Sequence, residues 1–266
     1  MKIIDSFIFY NELDMLEFRL NELYDVVDHF VLVESIKTFV RNDKELYFEN
    51  NKERFSKFLD KIIHIIVEDK YIPESSDPWV IEHHQRRCID RGIKQLNLNN
   101  DDIIIISDVD EIPDSKTLLH VKNNNLINGA YVLEYDLYYY NLYCKMREKW
   151  KHPKIINYGC YYNDYYCDPE AVRSNETNSL PVIKNGRWHL SFFGDIEFIK
   201  NKVKNFSHQE YNNEYILNDN IIKKQIQNND DLFGRSNSIN YIDIKDTHIY
   251  HIKYEEFKDF LLKKSQ

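Results

Sequence analysis

Apolar and polar positions along the first hundred residues switch between two periods. Residues 3 to 9 (Ile-Ile-Asp-Ser-Phe-Ile-Phe) read as a strand, and Asn11 then opens a helix whose Leu13, Leu16, Leu20 and Leu23 fall on one face. The unit recurs, with residues 29–34 a predicted strand, 52–60 a helix and Ile62 to Val67 a third strand. A loop bearing Pro73 and Pro78 leads into a helix from about Trp79 to Leu96, and the turn at Asn99-Asn100 is followed by Ile103 to Ile106. Four apolar residues are too few for a helix and predict a strand buried on both faces.

Short strands alternating with longer helices predict an α/β fold with a mainly parallel central sheet flanked by helices. Past Pro113 the pattern changes to a short helix at Ser115 to Val121 and a Tyr-crowded strand from Ala130 to Tyr140, the start of an expected antiparallel C-terminal part. Residues 141–187 carry no clear period. Trp188 to Phe192 reads as a strand, residues 195–206 and 210–228 as helices, and 254–264 as a closing amphipathic helix. A single domain is the default for 266 residues with 42% hydrophobic content.

The formal net charge of −9 argues against a nucleic-acid partner, which would call for clustered Lys and Arg. An anionic substrate would need a local remedy, such as a bound cation. The start, Met1-Lys2-Ile3-Ile4-Asp5, has no uninterrupted apolar segment, and no apolar run approaches the roughly 20 residues of a membrane span. A soluble, cytoplasmic protein is the expectation. Cys88, Cys144, Cys160 and Cys167 show no CxxC spacing and are expected to be free thiols.

In parallel α/β sheets ligands bind beyond the carboxyl ends of the strands. That rule singles out Asn11-Glu12, Glu34-Ser35, Glu68-Asp69 and Ser107-Asp108-Val109-Asp110-Glu111. In an extended segment Asp108 and Asp110 project from one side, so they can share one hard cation, which in turn can bridge a diphosphate. Competing readings are an acidic turn with a helix N-cap at Asp114 and a haloacid-dehalogenase-type phosphatase with Asp108 as nucleophile. In the phosphatase the DxD follows the first strand, whereas three strands precede it here. An EF-hand is excluded by Pro113 and Leu119, which stand where the loop needs Gly and Glu.

Several stretches carry a more specific resemblance: Asp5-Ser6-Phe7 to Asn11-Glu12-Leu13-Asp14-Met15-Leu16-Glu17, Val31-Leu32-Val33-Glu34-Ser35 with Thr38-Phe39, Pro78-Trp79 with Glu82, Gln85 and Arg86, Asp108-Val109-Asp110-Glu111-Ile112-Pro113, and Trp188-His189-Leu190-Ser191. In that order and spacing the chain resembles glycosyltransferase family 17. The resemblance implies a GT-A-like fold, a nucleotide-sugar donor (UDP-GlcNAc for the best-known member), a glycan or glycoprotein acceptor, a divalent metal (Mn2+ or Mg2+) and inversion at the anomeric carbon. Residues 1–113 would then form the nucleotide-binding half and 114–266 the acceptor-side half, and the alternative outside enzymes is a catalytically silent sugar-nucleotide or glycan-binding domain. Acceptor recognition is expected in residues 141–187, and Arg187 stands where the resemblance leads one to expect Gly.

Asn11, Glu12 and Glu34 lie at strand ends where a base and ribose would dock, although Glu12 also suits a helix N-terminus and Glu34 a lysine partner. Arg86 lies on a helix where Trp79, Glu82 and Gln85 repeat at helical spacing and share a face; Trp79, Gln85 and Arg86 are candidates for nucleotide contact, together with Asp108 and Glu111. His189 is the candidate third metal ligand beside Asp108 and Asp110, its alternative being a core histidine, with His208 in reserve. For the base that inversion requires, Asp195 is the first candidate and Glu197 the second. Asp195 also fits a helix N-terminus.

Overall fold

Strand β1 (Ile3–Phe9), first in the chain, lies inside the sheet rather than at its edge. The computed structural model describes all residues except 69, 71, 177, 178, 236, 237, 240–246, 248, 250–253 and 263–266. Helix α1 (Leu13–Leu23) returns the chain to β2 (His29–Ser35), and α2 (Tyr47–Asn50) with a 3-10 helix at Lys52–Phe58 leads to β3 (Ile62–Val67). Helices α3 (Pro78–Arg87) and α4 (Ile89–Ile93) then deliver β4 (Ile103–Asp108) to the other side of β1. The order β3-β2-β1-β4 is parallel throughout, as the alternating pattern predicts. Ile103 and Ile105 pack into the apolar cluster containing α1, and Ile104 and Ile106 into the one containing Ile89 and Ile93 of α4. Both faces of β4 are thus buried, and its polar C-terminus opens at the sheet's carboxyl edge.

The second half is built from β5 (Glu111–Pro113), α5 (Ser115–Asn124), β6 (Ala130–Tyr139), β7 (Lys145–Trp150), β8 (Lys154–Asn157), α6 (Tyr158–Asn163), α7 (Pro169–Ser174), β9 (Val182–Ser191), α8 (Ile196–Asn205), α9 (Asp219–Asn228), β10 (Ser238–Ile239) and α10 (Tyr254–Leu262). Antiparallel pairing of β8 with β4 extends the parallel half into a ten-stranded mixed sheet among the described residues. The pairs β6–β8, β6–β7, β7–β10 and β5–β9 are antiparallel, but β9 runs parallel to β6. The aperiodic stretch 141–187 resolves into two strands, two short helices and the start of β9, elements too short to display a period. The expected helix 210–228 begins only at Asp219, because Asn218 caps it by accepting from Asn220 and Ile221 N–H. The expected helix 79–96 divides at Cys88. The last two residues of the expected closing helix, 263 and 264, lie outside the described residues.

One buried cation ties the first elements to the acidic turn after β4. Arg19 lies on the apolar stripe of α1, between Met15 and Leu23, and is fully buried. Its guanidinium donates to both oxygens of buried Asp5 at 2.8 and 2.6 Å, to Ser107 Oγ at 2.7 Å, and to the carbonyls of Asp108 (2.7 Å), Val109 (3.2 Å) and Glu111 (2.8 Å). Only the planar fork of arginine can bind a carboxylate with one edge while collecting carbonyls with another.

Two consequences can be measured. Arg19→Met leaves the Asp5 carboxylate and three turn carbonyls without their donor, and is expected to cost about 3–5 kcal/mol in urea unfolding. Arg19→Lys should not restore it, since one ammonium cannot span both sets; recovery by lysine would reduce the pair to simple charge balance. The second concerns the strand that carries His189. At Gly186 β9 approaches β6 so closely that a Cβ would lie 2.4 Å from the Tyr135 ring, and the next residue, Arg187, has φ 131°, a backbone region that favours glycine. Arg187→Gly is expected to be more stable than Arg187→Ala by about 1 kcal/mol. Equal stabilities would show that the backbone carries no strain there.

Candidate active site

The carboxyl ends of β1 and β4 open into a cavity of about 630 Å³, closed on the far side by β6, β9, α8 and residues 206–235. Asp108 and Asp110 lie on its floor. The turn that presents them is closed by Glu111, which is fully buried and accepts from the Asp108 N–H at 2.8 Å. Glu111 also binds Arg173 through two bonds of 2.8 and 2.6 Å and accepts from the Trp150 indole N–H. Glu111 therefore supports the turn from beneath and does not line the cavity.

Three cations hold the two aspartates. Arg86 on α3 reaches Asp108 Oδ1 at 3.1 Å, Arg173 on α7 reaches Oδ2 at 3.1 Å, and Lys202 on α8 reaches Asp110 Oδ2 at 2.7 Å. Burial alone would push the Asp110 carboxyl up, but the Lys202 ammonium and His189 hold it well below the usual carboxylate range. Burial is likewise outweighed at Asp108, by Arg173 and Arg86. Both carboxylates are thus ionised at neutral pH, as a cation site requires. Lys37, Lys44 and Arg235 add further positive charge around the cavity. Burial lowers Lys44 to about 8 despite Glu34 and Glu12 nearby. Against these six Lys and Arg side chains stand five carboxylates, Glu12, Glu82, Asp108, Asp110 and Glu170, so the lining is close to neutral while the chain as a whole carries −9.

His189 faces Asp110, with Nε2 3.5 Å from Oδ1, while its buried Nδ1 has no hydrogen-bond partner among the described residues. The β5–β9 register sets Glu111 opposite His189, which brings a residue 78 positions downstream to the triplet. Among the described residues no three His, Cys, Asp or Glu side chains converge closely enough to hold a metal as they stand. The donor chemistry nonetheless fits a hard divalent cation, because the ionised Asp110 carboxylate and the His189 imidazole share one corner that already retains a cation, the Lys202 ammonium, and the ionised Asp108 carboxylate lines the same cavity.

The other candidates divide. Glu12, Trp79, Gln85 and Arg86 line the cavity with the two aspartates and His189. Glu12 accepts from the N–H groups of Tyr10 and Asn11, which precede α1, so it braces the loop after β1 rather than capping the helix, and it lines the cavity as well. Asn11 stays outside the lining. Glu34 is fully buried behind the wall, accepting from the Phe48 N–H at 3.0 Å and facing His64 at 3.1 Å and Lys44 at 3.7 Å. Asp195 is exposed and caps α8 by accepting from the Phe198 N–H, and exposed Glu197 pairs with Lys200. Neither acid lines the cavity, because the N-terminal turn of α8 precedes the turn that carries Lys202 into it. His208 lines the mouth beside Trp79, their ring centroids 4.7 Å apart.

Sequence reasoning missed Lys202, Arg173, Glu170 and His152. Arg173 and Glu170 are on one face of α7, a six-residue helix with too little length to display a pattern. Lys202 falls near the end of an amphipathic helix, where a lysine reads as solvated. Burial, with Arg173 adding to it, lowers His152 to about 4, so a neutral imidazole faces the cavity at pH 7.

The sequence matches the family model for glycosyltransferase family 17 over residues 1–243. A stretch of 126 residues is 32% identical to the beta-1,4-mannosyl-glycoprotein 4-beta-N-acetylglucosaminyltransferase of Rattus norvegicus, covering 46% of this chain and 23% of that protein. The Homo sapiens protein of the same name is 32% identical over 126 residues, covering 46% and 24%. The matched stretch therefore spans about a quarter of the length of these curated relatives. The chain belongs to glycosyltransferase family 17. That membership displaces the phosphatase reading of Asp108, whose two oxygens are in any case each held by a guanidinium group.

Proposed function

We propose that this family 17 member is an inverting, metal-dependent glycosyltransferase that moves N-acetylglucosamine from UDP-GlcNAc to a glycan hydroxyl, in one GT-A-like domain. The observation that carries the reading is the position of Asp108 and Asp110, ionised on the floor of a large cavity at the carboxyl end of a parallel strand and ringed by Arg86, Arg173 and Lys202. A manganese or magnesium ion would be held by Asp108 and Asp110 with His189, and when bound it would neutralise charge on the departing nucleotide diphosphate. The arginines keep Asp108 ionised and oriented, and the cavity's cations lower the cost of admitting a diphosphate.

Donor and acceptor sides follow from the lining. Residues 1–113 supply Glu12, Thr38, Trp79, Gln85 and Arg86 to the donor side. The acceptor side is a wall of aromatic rings in which Tyr211 stacks on Phe233 at 3.9 Å, Phe233 meets Phe192 at 5.8 Å, and Phe192 meets Tyr139 at 5.2 Å. Flat amphipathic rings suit the apolar face of a pyranose, and the polar side chains of Arg235 and Asn205 lie in the same lining. The mannosyl acceptor named for the relatives makes a mannose-bearing glycan the first acceptor to try.

Asp110→Asn preserves side-chain size and an oxygen for Lys202, so its circular dichroism should match the parent. Transfer from UDP-GlcNAc should fall by about 10²-fold or more. Near-normal turnover would reduce the triplet to an acidic turn. Inversion predicts a β-linked product from the α-linked donor, read from the anomeric proton signal by NMR, and an α-linked product would overturn the single-displacement mechanism.

A further inference from the structure

The three cations that hold Asp108 and Asp110 are themselves held unequally. Arg86 is also gripped by Glu82 at 2.6 Å and Glu170 at 2.7 Å, and Arg173 by two bonds to Glu111. Their side chains are 4% and 8% exposed. Lys202 has one close partner, Asp110 at 2.7 Å, with Glu12 next at 3.7 Å, and its side chain is 19% exposed toward the cavity it lines. An ammonium on a flexible stem can change partners without breaking a fixed fork of bonds, as either arginine would have to. Of the three, Lys202 is the one built to leave.

We infer that Lys202 is an exchangeable counter-ion, neutralising Asp110 in the free protein and moving onto the diphosphate when a divalent cation takes over that carboxylate. The inference rests on the metal reading above and adds an order to it. A divalent cation arriving alone meets an ammonium already on Asp110, and a diphosphate arriving alone meets a lysine already engaged. Arriving together, each frees the partner the other needs, so metal and nucleotide bind cooperatively.

The test is the sign of two affinities in the full-length Lys202→Met and Lys202→Gln variants. Titration of Mn2+ without nucleotide, followed by the paramagnetic resonance of the free ion, should give binding about tenfold tighter in the variants than in the parent. Calorimetry with UDP at saturating Mn2+ should give binding about tenfold weaker. A lysine that only supports the structure would weaken both, and unchanged or weakened Mn2+ affinity in the variants overturns the exchange. Because removal of Lys202 leaves Asp110 without its cation, thermal unfolding supplies a second reading. Mn2+ should raise the Tm of the variants by more than it raises that of the parent, and equal shifts count against the exchange. If Mn2+ binds none of the three proteins, with or without UDP, the metal reading fails and the exchange falls with it, whereas equal measurable affinities strike the exchange alone.

Discussion

The arrangement depends on a guanidinium enclosed between the first helix and the sheet. Arg19 satisfies Asp5 on β1 and then spends its remaining donors on the backbone of the turn that carries the aspartate pair. An ion pair in an apolar interior gains little over hydrophobic packing of the same shape, because both charges must be stripped of water. What Arg19 contributes is a fixed path for residues 107–111. With Asp108, Val109 and Glu111 carbonyls turned inward to one donor group, the acidic side chains are left to the cavity and to Arg173. The Phe7 ring, 4.3 Å from the guanidinium carbon, closes the apolar side of the same site.

Above that anchor lies a lattice in which each acid of the triplet has a separate task. Glu111 is buried and structural, Asp108 is divided between two arginines, and Asp110 shares a corner with His189 and Lys202. An acidic protein can in this way present a cavity whose carboxylates are matched by cations, since its surplus negative charge lies elsewhere. The carboxylates are oriented before any ligand arrives, which limits the reorganisation that binding requires.

The N-terminal half was legible because most of its strands and helices are long enough to show their periods. Four isoleucines buried on both faces announced β4, and the strand-end rule then pointed to the triplet. Arg19 left a trace that was not used: it interrupts the apolar face of α1 while Asp5 interrupts a strand buried on both sides, and two charges in core positions have each other as the natural partner. Arg173 and Lys202 left none, because a six-residue helix has no readable face and a lysine near a helix C-terminus is ordinary. The parallel pairing of β9 with β6 was also out of reach of local pattern, since it is set by contacts between residues some 50 apart.

The reach of those contacts bears on how the chain is made. Lys202 is 92 residues beyond Asp110, so at a synthesis rate of about 5–20 residues per second the carboxylate waits roughly 5–20 s for its partner. Arg173, 62 residues beyond Glu111, is also late. During that interval β1, β2, β3 and β4 can associate around Arg19, whose partners have all been made, while the acidic turn stays hydrated. The anchor beneath the turn and Arg86 beside it are available first, and Arg173 and Lys202 last, so vectorial synthesis completes the charge balance of this cavity only after its sheet has been made.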